Sequence, residues 1–189
     1  MAQRRITSLK QGLNELGWTE SKNISFEIRL ADGKLDRLPQ LATEIVDSKV
    51  DIIVTSGTPL IEAVRKATTT IPVVMAAVGD AVGAGFVASL AHPGGNMTGL
   101  SLVASEGATK RLQLLKEVIT NLKDVAVLWH VTNASHQMQM KELEPAASSL
   151  GIRVHSLAAD RPNEIEGAIK SLPQQCQALR ARLAALASS

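Results

Sequence analysis

Apolar residues recur at two different spacings along the chain, and the spacing changes from segment to segment. In residues 4–16 they lie three or four positions apart, which predicts an amphipathic helix, and Gly17 predicts its end. In residues 24–30 apolar and polar residues alternate, which predicts a half-buried strand. Residues 38–46 return to the helical spacing. The chain is therefore expected to open with a helix, a strand and a second helix.

The alternation of strands and helices continues along the chain. Apolar runs rich in β-branched residues predict further strands, at residues 51–55, 72–76, 125–129 and 152–157. Helical spacing predicts the intervening helices, at residues 58–66, 112–118, 135–149 and 163–171. Because the two kinds of element alternate with short connections, we expect an α/β fold with doubly wound parallel sheets covered by helices.

A glycine-rich passage divides this pattern into two lobes. Residues 78–99 hold six of the 13 glycines and predict mostly loop. We expect a first α/β lobe in residues 1–103 and a partial second α/β lobe in residues 104–172. The remaining residues, 173–189, do not continue the strand–helix pattern. Their apolar residues recur at helical spacing and predict a divergent helical tail, at Cys176, Leu179, Leu183 and Leu186.

Composition and charge exclude several classes of function. The 20 Lys and Arg residues nearly balance the 18 Asp and Glu residues, and aromatic residues make up 2% of the chain. A nucleic-acid-binding protein usually carries a basic stripe, and a single-strand binder also needs aromatic platforms, so we expect no nucleic-acid partner. No apolar run approaches the ~20 residues of a membrane-spanning helix. The single cysteine, Cys176, excludes an internal disulfide.

Polar residues and glycines follow two of the predicted strands, where ligands of open α/β sheets bind. Ser56, Gly57 and Thr58 follow the second predicted strand, and Thr58 is a suitable N-cap for the next helix. The amino end of a helix offers free N–H groups and partial positive charge to an anion such as a carboxylate. Gly79 and Asp80 follow the third predicted strand, at the same edge of the sheet. These residues either bind a ligand or only cap a helix and hydrogen-bond to nearby loop N–H groups.

The motifs of common enzyme classes are missing. The spacing Gly83-x-Gly85-x-x-Ala88 has the form of a dinucleotide fingerprint, but it does not come directly off a strand and ends at Pro93 without opening a full-length helix. The sequence contains neither a phosphate-binding P-loop nor a G-x-S-x-G nucleophile motif. The histidines lack metal-ligand spacing: they are His92, His130, His136 and His155. We therefore expect no catalytic residues, no metal and no cofactor.

Several short blocks of residues, spread over about residues 9–170, resemble those of a known protein family and follow one another in the same order. They are G-L-N-E-L-G-W at 12–18, K-N-I-S-F-E-I-R at 22–29, D-R-L-P-Q-L-A at 36–42, V-D-I-I-V at 50–54, G-T-P at 57–59, A-T-T-T-I-P-V-V at 67–74, G-D at 79–80, S-L-A-H-P-G-G-N-M-T-G at 89–99 and K-R-L-Q-L-L-K at 110–116. The sequence resembles the ABC transporter substrate-binding proteins, the family that includes tryptophan-binding lipoproteins.

This resemblance implies a type I periplasmic-binding fold, in which two doubly wound α/β lobes close on a small molecule. It implies the solute-binding component of an importer, with ABC permease subunits as partners, a ligand such as an amino acid, and a periplasmic or membrane-anchored location outside the cytoplasm. It also implies no enzyme activity. The implied ligand-binding positions are Ser56, Gly57, Thr58, Gly79 and Asp80 in the first lobe and Asn133 and Ser135 in the second.

The sequence departs from this family at both ends. Members carry an export signal and a first strand ahead of the helix at 4–16, and this sequence has neither, so the chain as written is expected to be cytoplasmic. The strands at 24–30 and 51–55 should then pair directly, leave a gap or borrow a strand. Exposed sheet edges favour self-association. Because the second lobe is also incomplete, we expect weak ligand binding or none.

Three other interpretations stay open. The two-lobed fold also occurs in transcription regulators, so the chain could be a cytosolic effector-sensing module, although no DNA-binding headpiece precedes residue 4. A small α/β enzyme is disfavoured by the missing motifs. A non-functional fragment that folds only partly is the third.

Overall fold

The structure is a computed structural model that describes residues 2–102, 106–173, 176 and 178–181. Its helices are α1 Ala2–Glu15, α2 Leu38–Asp47, α3 Thr58–Ala67, α4 Glu106–Val118, α5 Ala134–Ser149 and α6 Ile165–Lys170. Its strands are β1 Ile53–Ser56, β2 Val73–Val78, β3 Met97–Ser101, β4 Asp124–Trp129, β5 Arg153–Ala158 and β6 Ala178–Ala181. Short 3₁₀ turns at Leu35–Arg37 and Pro162–Glu164 lead into α2 and α6. The predicted helices outside the tail are confirmed.

The strands form two separate sheets, in which every pair is parallel. The first sheet has the order β1-β2-β3, and the second has the order β5-β4-β6 with β4 in the centre. We refer to α1 through β3 as the first lobe and to α4 through β6 as the second lobe. The predicted α/β class with two parallel sheets is confirmed, and the chain changes sheets after the glycine-rich passage.

Each sheet packs on helices through alternate residues of its strands. In β2, Val73 and Met75 are at most 1% exposed and pack in an apolar cluster with residues of α2 and α3. In β4 both faces are buried, since Val125 packs in the cluster of α4 and α5 whereas Leu128 packs in the cluster of α6. A continuous apolar strand is thus explained by its position between two helical layers.

The predicted strand at 24–30 is wrong. This segment contains one end of an isolated bridge, between Glu20 and Ile24, and the residues that follow form no ladder. In the described part of the chain β1 pairs only with β2, so the alternating segment has no neighbouring strand. Its Arg29 instead contacts α2, with Nε 3.5 Å from Glu44 Oε2. The expected direct pairing of this segment with β1 is therefore absent among the described residues.

Strand β3 lies in a passage that was predicted to be mostly loop. Its Gly99 has a φ of +145°, and a Cβ atom at this position would lie within 3.0 Å of three main-chain atoms of Met75. Glycine therefore allows β3 to approach β2 closely in a conformation that other residues rarely adopt. The glycine that suggested a loop is a requirement of the strand pairing.

The predicted helical tail is also wrong where the structure describes it. Residues Ala178–Ala181 form β6, which pairs in parallel with β4 from Val125↔Ala178 to Leu128↔Ala181. Strand β4 pairs with β5 along one edge, so its other edge offers main-chain hydrogen bonds to a further strand. Pairing along that edge overrides the helical spacing. Residues 182–189, with Leu183 and Leu186, lie outside the described residues.

Candidate functional site

The turn between β1 and α3 is shaped by glycine rather than by threonine. Gly57 occupies the N-cap position with a φ of +96°, and no side chain caps the helix. The predicted N-cap role of Thr58 is therefore wrong, since Thr58 begins α3 and is only 5% exposed. The Gly57 N–H donates to Ala77 O at 2.8 Å, which ties the turn to the end of β2. Ser56 Oγ accepts a 3.4 Å hydrogen bond from Arg5 Nη1 of α1.

The loop after β2 lies beside this turn, at the carboxyl end of the neighbouring parallel strand. Asp80 is 9% exposed, and its Oδ1 accepts a 2.9 Å hydrogen bond from the Gly83 N–H. The next residue, Ala81, donates its N–H to Ser101 Oγ at 3.1 Å. The Asp80 carboxylate therefore holds its own loop in shape.

The second lobe contributes the turn between β4 and α5. Asn133 caps α5, and its Oδ1 accepts a 3.0 Å hydrogen bond from the Ser135 N–H. Ser135 is 1% exposed, and its Oγ accepts a 3.3 Å hydrogen bond from Gln139 Nε2. Both side chains are thus held by the first turn of α5.

Asp160 anchors this turn from the end of β5. Its Oδ1 accepts hydrogen bonds from the Val131 N–H at 2.9 Å and the Thr132 N–H at 3.4 Å. The same oxygen lies 3.1 Å from Nδ1 of His130, a side chain that is 2% exposed and whose Nε2 is buried without a hydrogen-bond partner among the described residues. Sequence reasoning missed Asp160, although an acidic residue just beyond a strand was the signal that singled out Asp80.

The two lobes meet where the predicted site residues converge. A Cβ atom at Gly79 would lie 2.9 Å from Ser135 Cβ, closer still to Ser135 Oγ, and 3.7 Å from Thr58 Oγ1. Three predicted residues from separate elements therefore lie within one small volume. No space remains between Gly79 and Ser135 for a solute.

A pocket of about 390 Å³ lies beside this contact, between the two lobes. It is lined by Leu35, Leu38, Pro39, Thr43, Thr58, Pro59, Glu62, Ala63, Lys66, Ala67, Thr132, Asn133 and Ala134. Of the predicted residues, Thr58 and Asn133 belong to this lining. The others lie in the adjoining turns and the lobe contact: Ser56, Gly57, Gly79, Asp80 and Ser135. The pocket thus has one wall on α2 and α3 and another at the start of α5.

Charge on the first-lobe wall is concentrated in an ion-paired cluster on α3. Glu62 Oε1 lies 2.9 Å from Arg65 Nη2 and 3.3 Å from Lys66 Nζ. The hydrogen bond from Arg65 is the largest cause that lowers the pKa of Glu62, and partial burial opposes it. The same hydrogen bond raises the pKa of Arg65. The pocket therefore presents an ionised carboxylate and an ammonium group beside the apolar residues of α2.

Neither a metal site nor a membrane span stands out in the described part of the chain. No group of three or more His, Cys, Asp or Glu residues described by the structure could hold a metal ion. None of the described helices combines the length and apolar character needed to cross a membrane. The pocket, which residues of both lobes line, is the candidate functional site on the evidence of its lining and volume.

Two comparisons place the chain among known solute-binding proteins. A tyrosine-binding protein of Clostridioides difficile (strain R20291) is 30% identical over 162 residues, which are 86% of this chain and 46% of that protein. The structure of an ABC domain in complex with L-Trp from Streptococcus pneumoniae is 25% identical, with a TM-score of 0.80 over 94% of this chain and 59% of the other.

A third relative has a lower structural similarity at comparable sequence identity. The ligand-free, open structure of a substrate-binding protein with adhesive properties from Clostridium difficile is 27% identical, with a TM-score of 0.55 over 93% of this chain and 59% of the other. The chain thus spans about half the length of the curated relative and under two thirds of the solved ones. A family model described as ABC transporter substrate binding protein matches residues 2–187, and the chain belongs to that family.

Proposed function

We propose that this chain is the solute-binding component of an ABC-type importer and that the pocket between its lobes holds the solute. One observation carries this proposal: a pocket of about 390 Å³ is lined by Thr58 from the first lobe and Asn133 from the second. Small-molecule sites typically measure about 300–1,000 Å³ and often lie between domains. A site with both walls in place can bury most of a small solute, which favours a binding role over catalysis.

The chemistry of the pocket suits an amino acid with an apolar or aromatic side chain. The amino ends of α3 and α5 bring N–H groups and partial positive charge to the pocket, where a solute carboxylate would bind. Leu35, Leu38 and Pro39 offer apolar surface for the side chain, and Glu62 offers a carboxylate for the ammonium group. The tyrosine-binding relative and the tryptophan complex support the same class of solute.

The arrangement of the two lobes supports closure around the solute. At similar coverage, the TM-score is 0.80 with the tryptophan-bound relative and 0.55 with the open, ligand-free relative. Both are about equally distant in sequence, at 25% and 27% identity. We infer that the structure of this chain corresponds to the closed, solute-holding state.

An importer component needs partners and a location, and these follow from the same proposal. We propose that the chain docks on ABC permease subunits and acts outside the cytoplasm, in the periplasm or anchored to the membrane. Self-association through the first sheet is supported by β1, which among the described residues pairs with β2 alone. Val54 of this strand is 45% exposed and the preceding Ile52 is 56% exposed.

Calorimetric titration of the purified chain with L-tryptophan and L-tyrosine tests the proposal. We expect saturable binding of at least one of them. Thr58→Val, which replaces the hydroxyl by a methyl group, should weaken binding about fivefold, which corresponds to one neutral hydrogen bond of about 1 kcal/mol. Asn133→Asp keeps the N-cap but adds a negative charge, so it should weaken binding more strongly.

Thr69→Val, at an exposed position outside the pocket, is the matched control and should bind like the original chain. Saturable binding that is insensitive to both pocket variants would place the solute elsewhere. An absence of binding for both amino acids would reject the proposed solute class.

A further inference from the structure

The contact between the two lobes depends on a glycine in the first lobe. A Cβ atom at Gly79 would lie 2.9 Å from Ser135 Cβ and closer still to Ser135 Oγ, distances that real Cβ atoms essentially never show. Gly79 does not have a positive φ, so its backbone conformation would accept alanine. The constraint on this position therefore comes from the opposing lobe and not from the local backbone.

A second glycine of the same loop lies against the same helix. A Cβ atom at Gly83 would lie within 3.0 Å of Met138 Cε on α5 and of the Asp80 carboxylate. Because Asp80 also accepts the Gly83 N–H, the loop holds its shape while it packs on α5. Two first-lobe residues without side chains, Gly79 and Gly83, therefore face Ser135 and Met138 of α5, and we call this contact between the lobes the seam.

The seam continues directly into the pocket walls. Thr58 Oγ1 lies 3.7 Å from the Cβ position of Gly79, and Thr58 lines the pocket from the first lobe. On the other side, Asn133 lines the pocket and accepts the Ser135 N–H. A rigid-body movement of the lobes that separates Gly79 from Ser135 should therefore also separate Thr58 from Asn133.

We propose that Gly79 and Ser135 form the closing contact between the lobes, and that the missing side chain at Gly79 sets the solute affinity by permitting closure. This inference rests on the proposed function for its effect on affinity. Gly79 and Ser135 then act as positioning residues, which bring the two walls together without touching the solute. An alanine at position 79 shifts the population toward open lobes, and apparent affinity falls with the closed fraction.

The test compares Gly79→Ala with a matched glycine substitution in the same lobe, Gly95→Ala. A Cβ atom at Gly95 would meet nothing within 4 Å, and Gly95 does not have a positive φ. Small-angle scattering on the monomer peak should show a larger radius of gyration for Gly79→Ala without solute and an unchanged value for Gly95→Ala. Titration with L-tryptophan and L-tyrosine should show at least tenfold weaker binding for Gly79→Ala only.

A compensating substitution distinguishes a closing contact from general damage. Ser135→Gly removes both atoms that a Cβ at position 79 would meet and leaves Thr58 Oγ1 at an ordinary contact distance of 3.7 Å. The double variant Gly79→Ala with Ser135→Gly should therefore recover the radius and affinity of the Ser135→Gly single variant. If Gly79→Ala does not fold, Ser135→Val places the added bulk on the opposite lobe and should enlarge the radius in the same way.

The possible results separate this inference from the proposed function. An unchanged radius for both Gly79→Ala and Ser135→Val, or an enlarged radius that Ser135→Gly does not reverse, would overturn the closing contact. A reversible change in radius in a chain that binds neither amino acid would uphold the closing contact and reject the proposed solute class.

Discussion

Replacement of Asp160 by alanine should destabilise the second lobe, because this carboxylate holds the turn between β4 and α5. Asp160→Ala removes the acceptor of the Val131 and Thr132 N–H groups and one of the two oxygens that lie 3.1 Å from His130 Nδ1, the other being Thr132 Oγ1. Hydrogen bonds to a charged group contribute about 1.5–3 kcal/mol each, but the Asp160 side chain is 34% exposed and the Thr132 bond is long at 3.4 Å. We therefore expect a total loss of about 2 kcal/mol.

The assay follows urea unfolding through the fluorescence of Trp129 in a Trp18→Phe background. Trp129 lies in β4 and donates a 2.8 Å hydrogen bond to Ser156 of β5, so its emission reports on the second sheet. With an m-value of about 2 kcal/mol/M, the midpoint should fall by about 1 M. Asp160→Asn keeps an oxygen acceptor and should lose about half as much, whereas the exposed control Asp51→Ala should unfold like the parent. A midpoint for Asp160→Ala equal to that of the control would refute the anchoring role of this carboxylate.

Three further predictions address the first lobe. Gly99→Ala should lower the free energy of unfolding by more than about 2 kcal/mol, and the melting temperature with it, because Gly99 has a φ of +145° and its Cβ would meet the main chain of β2. The control Gly95→Ala should leave the melting temperature unchanged. The Glu62 carboxyl has a lowered pKa in the fold, so its pairing with Arg65 stabilises the fold above the ordinary pKa of 4.5 and is lost as the pH falls below it. Melting curves between pH 6 and 3 should show that Glu62→Gln loses less stability on acidification than the parent, by a few tenths of a kcal/mol for this exposed pair. An identical loss of stability would contradict the contribution of the Glu62–Arg65 pair. Val54→Lys places a charge on the edge strand β1 and should reduce any concentration-dependent association in sedimentation velocity; unchanged association would exclude this edge as the interface.

The sequence alone determined most of the local structure. Helix α3 and strand β1 carry apolar patterns whose periods match their geometry, and each was predicted to within two residues at both ends. These patterns are informative because the faces buried by α3 and β1 repeat along the chain with the period of the backbone. The same reasoning placed Ser56 and Asp80 at the carboxyl ends of neighbouring strands, since parallel strand order sets that edge.

Pairing between strands was decided by tertiary structure. Residues 24–30 alternate as a strand should, yet they form no ladder with any described strand. Residues 178–181 have helical spacing, yet they form β6 because the edge of β4 accepts them. A strand exists only through hydrogen bonds to another segment, and no local pattern records whether that segment is within reach.

The candidate site shows the same division between sequence and tertiary structure. Thr58 was predicted from its position at a helix start after a strand, Asn133 was implied by the family resemblance, and both line the pocket. Glu62 and Lys66 lie a turn or more inside α3 and were not predicted; they line the pocket together with residues of the neighbouring α2. The contact that brings the lobes together lies at Gly79, a residue without a side chain. Its effect depends on how closely another part of the chain approaches, and only the tertiary structure decides that distance.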